Sequence, residues 1–202
     1  LDIHSYCLHM PIPFFNNRMS FLKRFAKWMS KNYPDVPVNM SEWTHMQGGR
    51  DKGMDSALVT ANVMYEDLSV LNVISWQHWI AVSEVNYCDG LIYINLDDKT
   101  FEMTKRYYVT GNFSKYVPAG SVRVDAACDD SELRLLAFKY DGGCAVIVIN
   151  STEKEKELSL PEQYSAVKSA VTDDNNDLRE YDIADPGHIK ITPRSVTTII
   201  LR

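Results

Sequence analysis

Three short groups of residues in the first half of the chain carry side chains suited to chemistry: His4-Ser5-Tyr6, Ser41-Glu42-Trp43 and Trp76-Gln77-His78-Trp79. Indole rings stack on the apolar faces of pyranoses, and imidazole, phenol and carboxylate groups bind hydroxyls. A carboxylate at the centre of such a set can act as nucleophile or as acid/base in cleavage of a glycosidic bond. Each residue also has a plainer account. A Glu at a strand end is commonly a solvated turn carboxylate, a Trp commonly belongs to the core, and a single His is commonly a hydrogen-bonded structural residue.

The three groups share a position, each at the end of an apolar extended segment. Leu1 to Tyr6, Val36 to Trp43 and Val73 to Trp76 are the predicted strands, and each turns polar or aromatic at its C-terminal end. Helical patterns separate them. Phe21, Leu22, Phe25, Trp28 and Met29 recur at helical spacing, with Pro34 as the stop, and Met54, Leu58, Ala61, Tyr65 and Leu68 repeat the pattern. A hairpin arm over Leu91 to Asn95 and an aromatic helix over Thr104 to Tyr116 follow. Strand and helix in alternation predict a βα barrel or an open α/β sheet, in which functional groups collect at the C-terminal edge of the strands.

After Pro118-Ala119-Gly120 the periodicity changes. Seven short strands are predicted: Ser121 to Ala126, Glu132 to Tyr140, Cys144 to Asn150, Glu155 to Leu160, Ala166 to Thr172, His188 to Thr192 and Ser195 to Leu201. Turn signals punctuate them at Asp141-Gly142-Gly143 and Asp185-Pro186-Gly187. The fold class expected is therefore α/β plus all-β, with domains over residues 1–117 and 118–202, the second an antiparallel β-sandwich.

The composition of the 202 residues is ordinary for a globular protein, with 45% hydrophobic and 24% charged residues, which excludes disorder as the main state. A net charge of -6 argues against nucleic acid or an anionic membrane surface as partner. No apolar run approaches a transmembrane span. Cys7, Cys88, Cys128 and Cys144 have no CxxC spacing and no histidine pair nearby, so neither a zinc site nor a thioredoxin-like motif is supported, and a Cys128–Cys144 disulfide is a minor possibility; no metal or organic cofactor is expected. Asp173 to Asp177 is expected to be a solvated loop, and Arg50 a solvated loop arginine rather than an anchor for an acidic substituent. Asn39, Asn112 and Asn150 open glycosylation-type tripeptides.

The strings Ile3-His4-Ser5-Tyr6, Met40-Ser41-Glu42-Trp43, Trp76-Gln77-His78-Trp79 and Asp89-Gly90-Leu91-Ile92, in this order, resemble the C-terminal part of glycoside hydrolase family 30. The segment Lys105 to Val124, KRYYVTGNFSKYVPAGSVRV, is the most specific piece, and Pro193 to Thr198 is similar to the family's last strand. The family includes glucosylceramidases, xylanases and β-1,6-glycan hydrolases. The resemblance implies the last three βα units of a (β/α)8 TIM barrel followed by a β-sandwich, and a retaining mechanism. It implies Glu42 as the nucleophile, His4 and Tyr6 as residues orienting substrate or nucleophile, and Trp76 as the floor under the sugar. Trp43, His78 and Trp79 complete the expected carbohydrate-binding set. The implied partner is a β-linked oligo- or polysaccharide or a glucoside, and the implied location is secreted or periplasmic.

Two features depart from the family pattern. The Asn-Glu-Pro motif that carries its acid/base Glu does not occur in these 202 residues, and five barrel strands would lie upstream of Leu1. The chain is thus expected to be part of a longer enzyme, inactive without the missing barrel half. The alternative is a non-catalytic carbohydrate-binding or structural module.

Overall fold

The computed structural model describes residues 1–6, 18–161 and 163–202. The loop expected over Cys7 to Asn17, with Cys7 and His9, lies outside the described residues. The chain forms two compact units, residues 1–51 with 62–102, and residues 52–61 with 103–202.

In the first unit, β1 (Asp2–Ile3), β2 (Asn39–Trp43) and β3 (Ser75–His78) form a parallel three-stranded sheet in that order. Its register aligns Ile3 with Met40, Met40 with Trp76, and Trp43 with His78, with an irregularity between Met40 and Trp43. The three ends named from sequence therefore lie side by side. Val36 to Val38, expected in the strand, precede it, although the Val38 carbonyl already accepts the Ile74 N–H at 2.9 Å. Between β1 and β2 runs α1 (Arg18–Asn32), which buries Leu22 and Met29 and turns Lys23, Arg24 and Lys27 outward. Phe21, Phe25, Trp28 and Tyr33 stack in series along it, with ring centroids 5.3–6.4 Å apart.

Between β2 and β3, α2 (Met54–Glu66) continues into a π-helical turn, Asp67–Leu71. Beyond β3, the short strands β4 (Val82–Ser83), β5 (Ile92–Asn95) and β6 (Thr100–Met103) make a separate small sheet.

The second unit contains α3 (Lys105–Ser114), whose N-cap Thr104 hydroxyl accepts the Tyr107 N–H. Six antiparallel strands follow the order β12-β11-β14-β9-β8-β7, from β7 (Val122–Val124), β8 (Leu133–Tyr140), β9 (Gly143–Asn150), β11 (Ala166–Thr172), β12 (Arg179–Asp182) and β14 (Ser195–Leu201). A two-stranded ribbon, β10 (Lys156–Leu158) with β13 (Ile189–Ile191), shares an apolar cluster with this sheet: Leu158, Ile189 and Ile191 meet Val146, Val148, Ile199 and Leu201. Helix α3 belongs to this unit because the buried Asn112 bonds across to β11 and β14. The sequence pattern changes after α3, whereas compact packing divides the chain before it.

All seven strands expected after residue 118 are present, two with the expected bounds, one a residue longer and four shorter, and β12 is an addition. Its four residues are exposed, so no alternation reveals it, and it lies at the sheet edge with charged side chains, a usual protection against edge pairing. The solvated-loop reading of Asp173 to Asp177 holds for the exposed Asp174, Asn175 and Asp177 and is corrected at Asp173. Asp173 is buried, where one of its oxygens accepts the backbone N–H groups of Asn175 and Asn176 at 2.8 Å and the other the Thr192 hydroxyl at 2.8 Å. Cys88, Cys128 and Cys144 are free thiols. Asn112 and Asn150 are fully buried and hydrogen-bonded, which closes them to glycosylation in the folded chain. Among the described residues, no helix is long and apolar enough to cross a membrane.

Candidate active site

The ends of β1 and β2 meet at Glu42, and the end of β3 lies beside them. The Tyr6 hydroxyl donates to Glu42 Oε1 at 3.1 Å, and His4 Nδ1 lies 3.6 Å from the same oxygen. The His4 and Tyr6 rings meet edge to face, 6.2 Å between centroids. Burial and then the Glu42 carboxylate push the Tyr6 phenol well above its usual range, with a backbone hydrogen bond involving Thr44 working the other way. Tyr6 therefore remains a proton-bearing donor toward Glu42. Glu42 itself is partly open, with 29% of its side chain accessible.

The aromatic residues divide by depth. Trp43 is fully buried, its ring 5.9 Å from that of the half-buried Trp76, which in turn lies 6.2 Å from the ring of His78. Trp79 is 52% exposed. Trp76 and Trp79 are thus the indoles with surface to offer a ligand, and Trp43 backs Trp76. His78 Nε2 is 2.8 Å from the Asp89 carbonyl oxygen, which also accepts the Ile80 N–H at 3.0 Å. The peptide bond between Trp79 and Ile80 is cis.

Two loops beside the site are bonded to each other. Cys88 N–H donates to the Gln47 carbonyl at 2.8 Å, Gly49 N–H to that of Asn86 at 3.3 Å, and the Thr44 hydroxyl to that of Cys88 at 3.3 Å. The solvated reading of Arg50 is corrected here. Its guanidinium donates to the Glu84 and Val85 carbonyls and sits 4.8 Å over the Tyr93 ring, which makes it a strut between the loops.

Beneath the site lies a polar cluster that sequence reasoning missed. Asp67, fully buried at the start of the π-helical turn, accepts the Trp76 indole N–H at 3.0 Å and the Ser5 hydroxyl at 3.2 Å on Oδ2. Its Oδ1 accepts Arg18 Nη2 at 2.6 Å, while Arg18 Nη1 reaches Glu66 at 2.7 Å. Burial pushes the Asp67 carboxyl above its usual range, and the Arg18 guanidinium with the Trp76 and Ser5 donors pulls against it. One signal was available in the sequence. An acidic pair, Glu66-Asp67, at the C-terminal end of a helix opposes the helix dipole and so asks for a specific cationic partner.

Residues 32–93, which include Glu42 and Trp76, match the family described as O-Glycosyl hydrolase family 30. Over this stretch the chain is similar to that family. The lysosomal acid glucosylceramidase of Mus musculus is 27% identical over 124 residues, covering 56% of this chain and 23% of that protein. A conserved exported protein from Bacteroides fragilis superposes with a TM-score of 0.83 at 20% identity, over 99% of this chain and 45% of its own. The catalytic domain of the family 30 xylanase C from Talaromyces cellulolyticus gives a TM-score of 0.73 at 18% identity, over 83% of this chain and 41% of its own. These two likenesses show the fold. The chain spans about a quarter of the mouse relative's length and less than half of each solved structure. The mixed α/β structure, mostly sheet with few helices, matches these solved neighbours in fold.

Proposed function

We propose that this chain is the C-terminal portion of a retaining β-glycosidase of the family 30 type, with Glu42 as the nucleophile. In this reading β1, β2 and β3 are the last three strands of a (β/α)8 barrel, and the six-stranded sheet with its ribbon is the side sandwich. The observation that carries the reading is the convergence of Tyr6 and His4 on one oxygen of a partly open glutamate at the end of a parallel strand.

The reaction has two steps. In the first, a carboxylate oxygen of Glu42 forms a bond to the anomeric carbon as the glycosidic C–O bond breaks, and a protonated carboxyl group gives its proton to the departing oxygen. In the second, the same carboxyl group, now ionised, takes a proton from water as that water displaces Glu42. Retention requires the two carboxyl groups to be about 5 Å apart. Glu66 is engaged by Arg18, and Glu84 and Glu102 lie on exposed segments past β3, so we assign the acid/base role to a segment outside these 202 residues. The Tyr6 O–H on Oε1 fixes the orientation of the nucleophile and leaves its other oxygen for attack. Trp76 supplies the floor under the sugar, Trp79 an outer stacking surface, and His4 and His78 polar contacts. The substrate class is a β-linked glycan or glycoside, and a secreted or periplasmic location follows from the same resemblance.

The test is Glu42→Gln in the natural full-length protein, with a fall in kcat on the order of a thousandfold or more expected. A mechanism-based fluorosugar should label Glu42 in a peptide digest. Activity near that of the unaltered protein would reject the assignment. Binding of oligosaccharide by an unaltered protein that shows no turnover would favour the carbohydrate-binding module, the reading that the exposed Trp79 also fits.

A further inference from the structure

We infer that Asp67 is a positioning residue for the proposed sugar site, acting by holding the Trp76 indole at the angle it presents to a ligand. The inference rests on the assignment of Trp76 as the floor of that site. Asp67 Oδ2 accepts the Trp76 Nε1–H at 3.0 Å, and the carboxylate is itself fixed from two further directions, by Arg18 Nη2 at 2.6 Å and the Ser5 hydroxyl at 3.2 Å. Arg18 Nη2 also donates to Ser5 Oγ at 3.0 Å, which closes the triangle.

Two features distinguish this from a simple ion pair tying α1 to α2. An ion pair alone would be complete with Arg18, Glu66 and Asp67, whereas here the carboxylate spends an acceptor position on the polar edge of a half-buried ring. The Ser5 contact moreover falls between His4 and Tyr6, the two residues that address Glu42. One buried carboxylate thus anchors both sides of the site. A bond from a ring N–H to a buried carboxylate is charge-assisted, and so restricts ring rotation more than a neutral partner would.

The experiment uses the natural full-length protein with ¹⁵N-indole-labelled tryptophan, the Trp76 resonance being assigned through Trp76→Phe. In the unaltered protein, the Trp76 indole proton should exchange with solvent more slowly than that of Trp79. Equal exchange of the two would overturn the inference without recourse to any variant. In Asp67→Asn, the Trp76 indole proton should move upfield while that of Trp79 stays in place, and an unmoved Trp76 signal overturns the inference.

Turnover supplies the remaining arms. Asp67→Asn should lower kcat/KM on the order of tenfold to a hundredfold, the scale of a misplaced substrate contact. In a Trp76→Phe background, the same change should add little, because its route of action is already gone. Full additivity, or an unchanged kcat/KM in an active enzyme, overturns the positioning role. A full-length protein that turns over no glycoside would instead reject the proposed function, and the indole measurements would still decide the Asp67–Trp76 link.

Discussion

Replacing Asn112 by Ala should detach α3 from the sheet of the second unit. Asn112 is fully buried in the helix. Its Nδ2 donates to the Ala170 carbonyl at 2.9 Å and to Thr198 Oγ1 at 3.1 Å, and its Oδ1 accepts the Thr172 hydroxyl at 2.7 Å. Removing this amide leaves the Thr172 hydroxyl without that acceptor and the Ala170 carbonyl without that donor. Thr198 keeps its own bond to the Asn112 carbonyl at 2.8 Å. Two buried polar groups deprived of a partner cost about 1–3 kcal/mol each. The small void adds to this, and the better helix propensity of Ala returns about 0.5 kcal/mol. The expected loss is therefore about 3–5 kcal/mol. Urea unfolding of the purified protein measures it as a lower midpoint at unchanged slope. Thr172→Val, which removes only the donor to Asn112 Oδ1, should cost about 1–2 kcal/mol, and the double variant should cost less than the sum because the two share a bond. A loss below about 1 kcal/mol for Asn112→Ala would refute the reasoning, since it would mean that water replaces the amide.

Tyr6→Phe should reduce turnover of the full-length protein while leaving the fold intact. In the unaltered protein, difference absorbance should show Tyr6 ionising above an ordinary tyrosine; because the folded-state value is the raised one, its stabilising contribution holds below about pH 10 and is lost as pH rises further. Glu180 should titrate near about 2, drawn down first by Lys115 and then by the Tyr116 hydroxyl and Lys168. Its contribution is present above the ordinary Glu range and is lost as pH falls toward about 2, so Glu180→Gln should flatten the acid limb of the stability profile, and high salt should shrink the difference.

Much of the frame was legible because burial leaves periodic traces. The stripe through Leu22 and Met29, the stop at Pro34 and the alternation in β13 each report one side facing a core. Glu42 stood out by position, a carboxylate at the polar end of an apolar strand. Residues whose partners are distant in sequence left no such trace. Arg50 looks like any loop arginine until Glu84, Val85 and Tyr93 surround it, and Asp173 looks like one of an acidic run until Thr192 comes to it. Strand β12 escaped because an edge strand with four exposed residues has no hydrophobic period to read.

The sequence by itself determined which residue types stand at the three strand ends, since local alternation of apolar and polar residues is written along the chain and needs no partner. Tertiary structure alone decided their roles. Parallel pairing of β1 with β2 brings His4 and Tyr6 to one oxygen of Glu42, and packing depth separates Trp43, a backing residue, from Trp76 and Trp79, which keep surface. The cluster of Arg18, Asp67, Ser5 and Trp76 joins four segments through hydrogen bonds that span up to 62 positions. Such bonds depend on how the chain closes in space, and no local pattern encodes that closure.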